Sequence, residues 1–234
     1  MGISDRTQSS TRAQGHKAVG KLRPACAGLP PFEMRGKKVL EVGCSTGIDL
    51  THIAYAEASE RCGIDIDVKA IETGRARYPE LDLRVARGEA IPFRDGYFDA
   101  VLSRIALPYM DIPAALVEFN RVMRPGAYLF ASWHDWEGRQ TWFLNPAHGL
   151  TWKRAADLAY IVAASVAYRL SGRILARPWN GTRETFQFRK HIPLILAAAG
   201  FVDVACERSD HHLRSTARKP GGPNQTASPD ARVH

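Results

Sequence analysis

One run constrains this 234-residue chain more than any other: Val39-Leu40-Glu41-Val42-Gly43-Cys44-Ser45-Thr46-Gly47. An apolar strand of the buried kind passes straight into a glycine-bounded turn, and a helix-like stretch follows. Chains are built this way where a ligand lies against bare backbone. Glycine reaches left-handed angles and has no side chain to hold the ligand off. Glu41 sets a carboxylate near the strand's end, where open α/β sheets bind their ligands. An acid there favours a ligand with a positive group or many hydroxyls over one rich in phosphate.

The stretches that follow alternate regularly. Strands fit at about 38–43, 60–66, 81–86, 98–103 and 126–133, and helices at about 47–58, 68–78 and 112–123. A helix near 186–199 and a strand near 201–206 resume the pattern later. Val39-Leu40 and Ala100-Val101-Leu102 are continuous apolar runs, as central parallel strands require. The expected fold class is α/β, a doubly wound, mostly parallel sheet with helices on both faces. The domain is expected over 32–207, with 1–31 and 208–234 as disordered tails.

A helical insertion is expected at about 134–185. Trp136, Trp142, Trp152 and Trp179 lie in or beside it. Within it Ala155 to Ala167 carries one charge, Asp157, between Lys153-Arg154 and the later Arg169, Arg173 and Arg177. This stretch is too short to span a bilayer. It reads either as a lid helix packed on the core or as a wall for an apolar, lipid-like acceptor. In the second case the 150–177 segment makes peripheral membrane contact.

The net charge of +8 invites a nucleic-acid reading, but its distribution opposes one. Residues 1–38 carry eight Lys/Arg against two Asp/Glu, and residues 207–234 carry five against three. The stretch between holds nineteen of each sign, so the body is neutral and the basicity sits in the tails. The tails read as solvated ends or as a weak tether to a polyanion or membrane surface. Cys26, Cys44, Cys62 and Cys206 form no C-x-x-C and no metal spacing. No secretory pattern opens the sequence, so a cytoplasmic setting is expected.

Three spacings converge on a nucleoside-bearing cofactor. The first is the Gly43–Gly47 turn. The second is Gly63-Ile64-Asp65-Ile66-Asp67, with an acid at the tip of the second strand placed to accept both hydroxyl protons of a ribose. The third is Arg87-Gly88-Glu89-Ala90-Ile91-Pro92-Phe93, followed by Asp95 to Val101. A nicotinamide cofactor needs Gly at the third and sixth positions of G-x-G-x-x-G. Counting from Gly43, those positions hold Ser45 and Ile48.

With Glu118-Phe119-Asn120-Arg121-Val122-Met123-Arg124-Pro125-Gly126 added, these four motifs resemble a known family in the right order. It is the class I, seven-strand, Rossmann-like S-adenosylmethionine-dependent methyltransferases, in the small-molecule branch with the quinone and sterol methyltransferases. The resemblance covers about 37–133 and 186–206. It implies S-adenosyl-L-methionine as cofactor. Gly43, Ser45 and Gly47 would line its methionine and ribose moieties, and Glu41 would orient the amino group through backbone or water. Asp65 would hold the ribose diol, Ile66 would pack on adenine, Arg87, Gly88 and Glu89 would flank the adenine amino edge, and Ser103 would touch the methionine part. Three departures stand out. Ser45 replaces the commoner middle glycine. Arg87 stands where an Asp usually meets adenine, with Glu89 as the alternative. The family's final antiparallel strand has no apolar counterpart after Cys206.

Methyl transfer from a sulfonium is an in-line displacement, so alignment and exclusion of water matter more than any one catalytic group. The acceptor side should lie just after the fourth and fifth strands. The candidates there are Arg104, Tyr109, His134 and Asp135. His134 is the preferred base, because its free pKa is near neutrality. Two other readings stay open: an RNA or other nucleic-acid methyltransferase, and a scaffold that binds S-adenosylmethionine without turnover.

Overall fold

The structure is a computed structural model and describes residues 30–134, 151–171, 175–178, 183–209 and 212–221. Seven strands form one sheet in the order β3-β2-β1-β4-β5-β7-β6. They are β1 (Lys38–Val42), β2 (Glu60–Asp65), β3 (Asp82–Val85), β4 (Phe98–Arg104), β5 (Met123–His134), β6 (Val202–Ser209) and β7 (His212–Arg218). β1 to β5 pair in parallel, and β7 runs antiparallel between β5 and β6. Four helices are described: α1 (Val68–Arg77), α2 (Ile112–Val122), α3 (Trp152–Ser171) and α4 (Ile192–Ala198).

The central strands are buried on both faces, and alternate residues divide between two cores. Leu40, Val42, Val101 and Leu129 face α2 and α4, packing with Leu116, Phe119 and Leu196. Val39, Leu102 and Phe130 face the other way, packing with Ile71 of α1. Each of α1 and α2 starts on an aspartate. Asp67 accepts from the amides of Lys69 and Ala70, and Asp111 from that of Ala114. Such caps satisfy orphan amides of the first turn. α2 ends at Val122 and the chain passes directly into β5, three residues earlier than expected.

Three expectations need correction. The helix expected at 47–58 is two short 3₁₀ turns, Ile48–Thr51 and Ile53–Tyr55. β-branched Ile48 and Thr51 lose rotamer freedom in a helix. His52 is extended between the two turns, and its Nδ1 accepts from the Ala54 amide at 3.1 Å. The helix expected at 186–199 begins only at Ile192, because Pro193 occupies its first turn. The tail expected to be disordered from 208 contains the end of β6 and all of β7. β7 was hard to read because Leu213, Ser215 and Ala217 are its buried residues, and two of the three are polar or small. Burial of Ser215 is tolerated because Trp133 Nε1 donates to its hydroxyl at 2.8 Å.

The insertion helix is longer than its apolar stretch. α3 buries Ile161, Ala164, Ser165 and Tyr168 on one side. The Ser165 hydroxyl accepts from the Phe186 amide at 2.9 Å, fastening the helix to the chain that returns toward α4. That chain reaches the ends of β4 and β5: the Thr185 amide donates to the Pro108 carbonyl, and the Gln187 amide to that of His134. Asp135, Trp136, Trp142, Arg173 and Trp179 lie outside the described residues. Among the described residues no helix is long and apolar enough to cross a membrane.

Candidate functional site

The sheet order reverses at β1, whose neighbours are β2 and β4. Such a switch point opens a crevice at the carboxyl ends of the strands. The turn after β1 lies there, with Gly43, Ser45 and Gly47 all at positive φ, 82°, 52° and 75°. The amides of Gly43 and Cys44 donate to the Ile64 carbonyl and pin the turn to β2. A Cβ on Gly43 would lie 2.2 Å from the Cβ of Ala106, so only glycine lets β1 and the loop after β4 approach this closely. Ser45 accepts its left-handed angle, and its amide donates to Asp65 Oδ2 at 2.8 Å. The other oxygen, Oδ1, receives the Asp67 amide at 2.9 Å. Two backbone donors thus hold the Asp65 carboxylate at the tip of β2, and each oxygen keeps a free lone pair. Capping of α1 falls to Asp67, which leaves Asp65 for other work.

Glu41 is 2 % exposed, with Arg104 Nε and Nη2 both on its Oε1 at 2.9 and 2.7 Å. Burial lifts the Glu41 pKa and the guanidinium opposes the rise, leaving it above the usual carboxylate range. Arg104 also lies 3.3 Å from Asp49. Burial weakens its charge but Glu41, first among its anionic neighbours, more than restores it. Arg104 therefore belongs to the β1 side of the crevice, although the sequence grouped it with acceptor residues. Ile105, a β-branched residue at φ 58°, makes the sharp bend that sets Arg104 on Glu41 and Ala106 against Gly43.

Tyr55 Oη, near Arg104, is buried without a partner, and so are two polar atoms of the strands, Glu41 Oε2 and Ser103 Oγ. They sit on adjacent strands, since Glu41 pairs in register with Leu102. Leaving such atoms unpaired is costly, so their presence in a crevice points to a ligand that satisfies them. Ile66 offers an exposed apolar surface at the tip of β2. A Cβ on Gly88 would lie 2.5 Å from Met110 Sδ, so glycine suits the close approach there. Glu89 accepts from the Asp111 amide at 2.9 Å, so its carboxylate is engaged with the start of α2, while Arg87 is exposed and lies 3.4 Å from it.

At the end of β5 two acceptor-side candidates meet. His134 Nε2 lies 2.9 Å from Tyr109 Oη, with the rings perpendicular. His134 is buried and Tyr109 is 44 % exposed, so the phenol presents the pair to the surface. Sequence reasoning missed Asp49 and the Thr185–Gln187 segment. Only the fold brings the latter beside His134, and nothing in its composition marks it. A cavity of about 500 Å³ lies among Asn120, Arg121, Gly200 and Lys219, near the start of β5 and away from this crevice.

The residues present fit S-adenosylmethionine. An unpartnered buried carboxylate oxygen suits an ammonium, a fixed acid suits a ribose diol, and an open Ile66 suits adenine. The sheet order and its crevice are those of a Rossmann-like α/β fold. Residues 40–131 match the family model described as a methyltransferase domain. A fatty-acid O-methyltransferase of Mycolicibacterium smegmatis is 36 % identical over 102 residues, 41 % of this chain and 36 % of the relative. A phthiotriol/phenolphthiotriol dimycocerosates methyltransferase of Mycobacterium ulcerans is 35 % identical over 101 residues, 42 % and 37 % of the two chains. The chain spans less than half the length of these relatives. An S-adenosylmethionine-dependent methyltransferase of Methanosarcina mazei has a similar fold at TM-score 0.56 and 17 % identity, over 83 % of this chain and 99 % of that one. Another from Mesorhizobium loti has TM-score 0.54 at 18 % identity, over 81 % and 93 %.

Proposed function

We propose that the chain transfers the methyl group of S-adenosylmethionine to a small, apolar or lipid-like acceptor. The observation that carries this reading is the unpartnered Glu41 Oε2, buried beside Arg104 at the switch point. A carboxylate and a guanidinium side by side match the two charges of an amino-acid end, ammonium on Glu41 and carboxylate on Arg104. Asp65 would hold the ribose hydroxyls, Ile66 the adenine face, and Ser103 a polar atom of the methionine part. When bound, the cofactor supplies the methyl group and a neutral thioether as leaving group.

The chain's remaining work is at the acceptor. Tyr109 Oη would take the acceptor's hydroxyl proton while its own passes to His134 Nε2, 2.9 Å away. The O-methyltransferases among the relatives support an oxygen acceptor, and the two mycobacterial relatives support a lipid-like one. The balance of charge over 39–206 speaks against a nucleic-acid substrate. The proposal includes a cytoplasmic setting, supported by the buried thiols of Cys44 and Cys62, which form no disulfide.

Titration calorimetry with S-adenosylmethionine tests the cofactor half. Asp65→Ala should weaken binding about 10- to 100-fold, the worth of hydrogen bonds to a charged group. An extract given labelled methyl donor tests the acceptor half. Label in an apolar small molecule is expected, and label in RNA overturns the acceptor class. Binding without any labelled product would leave a scaffold rather than an enzyme.

A further inference from the structure

Both sides of α3 are apolar, and among the described residues only one of them is covered. The inner side packs through Ile161, Ala164 and Tyr168. The outer side carries Trp152, Val162, Val166 and Leu170, exposed by 77, 39, 50 and 83 %. Val162, Val166 and Leu170 recur every four residues and so form one row along the helix. Alanines 155, 159 and 163 share the exposed surface. Contiguous apolar surface of this kind marks a site of contact.

Charge at the borders of this face is of one sign. Lys153 Nζ lies 5.9 Å from the Trp152 ring at one end, and the Arg169 guanidinium lies 5.5 Å from the Phe188 ring toward the other. Asp157 is the helix's single acid, and it is drawn to the covered side, 3.6 Å from Arg177. Phe188 also stacks edge-on against His191, whose pKa is held down by burial and then by Arg169 and Lys190. Three cationic or protonatable groups thus gather at this end of the face. Beside them the face continues into an apolar groove of about 170 Å³ between α3 and the Phe186–Phe188 segment.

We propose that the outer face of α3 docks on an anionic membrane surface, lying in the headgroup layer with Trp152, Val162, Val166 and Leu170 turned to the acyl boundary. Lys153 and Arg169 would meet lipid phosphates. An amphipathic helix with cations at its borders and no outward acid binds such surfaces without crossing them. The helix is too polar to span, in agreement with this placement. The net positive charge of residues 1–38 and 207–234 adds attraction of the same sign. This inference is independent of the acceptor proposed above, because docking requires no turnover.

Co-sedimentation of the full chain with vesicles tests it. Two compositions serve: phosphatidylcholine alone, and phosphatidylcholine with about 30 % phosphatidylglycerol. Binding should be at least about tenfold stronger to the anionic vesicles. The double variant Val166→Glu/Leu170→Glu should lose about tenfold or more of that binding. Both positions are exposed, so its melting temperature and S-adenosylmethionine affinity should stay at the parent's values. Arg169→Glu should remove most of the preference for anionic lipid. The idea fails if the parent chain ignores both vesicles. It fails equally if the double variant binds as well as the parent, which would place binding in the tails. A dimer in sedimentation equilibrium, dispersed by the double variant and without vesicle binding, would assign the face to a second copy and overturn the membrane.

Discussion

The two halves of the crevice are built by opposite means. The half proposed for the cofactor comes from one short turn and the tips of neighbouring strands, with Asp65 fixed by two backbone amides and Glu41 by a doubly bonded guanidinium. The half proposed for the acceptor joins parts far apart in sequence: Tyr109, His134 and a returning segment fastened beneath α3. The first half is local and held by several hydrogen bonds, as suits the single ligand proposed for it. The second depends on how an insertion packs, which is where a fold of this kind varies its substrates.

Substitutions can break that contrast, and the largest effect is expected in the first half. Gly43→Ala needs a strained positive φ and places a methyl against Ala106. It should cost about 3 kcal/mol of stability and abolish cofactor binding, read by thermal melting and calorimetry. Arg104→Met leaves Glu41 as an uncompensated buried charge and should cost about 3 kcal/mol in denaturant unfolding. Adding Glu41→Gln to that variant should recover much of the loss. The pH dependence has a definite sign. Glu41 is protonated more readily in the folded protein than in the unfolded chain. Its burden is therefore absent below the unfolded pKa and grows as pH rises toward the folded value. Wild type should lose stability relative to Glu41→Gln as pH is raised from about 4 to about 8 in a series of melts.

In the acceptor half, Tyr109→Phe should lower kcat about 100-fold with cofactor affinity unchanged. An unchanged kcat would mean that the acceptor surrenders its proton unaided and that the pair only shapes the site. The smallest effect sharpens the distinction between two neighbouring acids. Asp67→Ala removes a helix cap and should cost about 1 kcal/mol, with S-adenosylmethionine binding at the parent's value. A large loss of binding would show that the two acids share the ribose.

What was legible in the sequence follows the same division. Glu41, the Gly43–Gly47 turn and Asp65 announce themselves because their spacing is local and their backbone needs are unusual. The alternation of strands and helices was readable from apolar runs for the same reason. The bond between His134 and Tyr109 was not, because it depends on the register between β4 and β5 and on the 3₁₀ turn at Leu107–Tyr109. Nor did the sequence reveal Arg104 as the partner of Glu41, since the bend at Ile105 that joins them uses a residue that rarely adopts such an angle. β7 escaped notice because its buried serine is satisfied by Trp133, a partner 82 positions earlier. The two 3₁₀ turns after Gly47 resemble a helix in sequence because they stand where the strand–helix alternation calls for one.

The place of β7 in the sheet also sets an order of assembly. Its strand is made after β6, yet it lies between β6 and β5. During synthesis the open edge of β5 must wait, and β6 has no neighbour in the sheet until residues 212–218 emerge. Trp133 waits with them, its indole nitrogen unpaired until Ser215 arrives. The hairpin therefore joins as a unit, and a nascent chain halted before it would display an unprotected edge to every other chain in the cell.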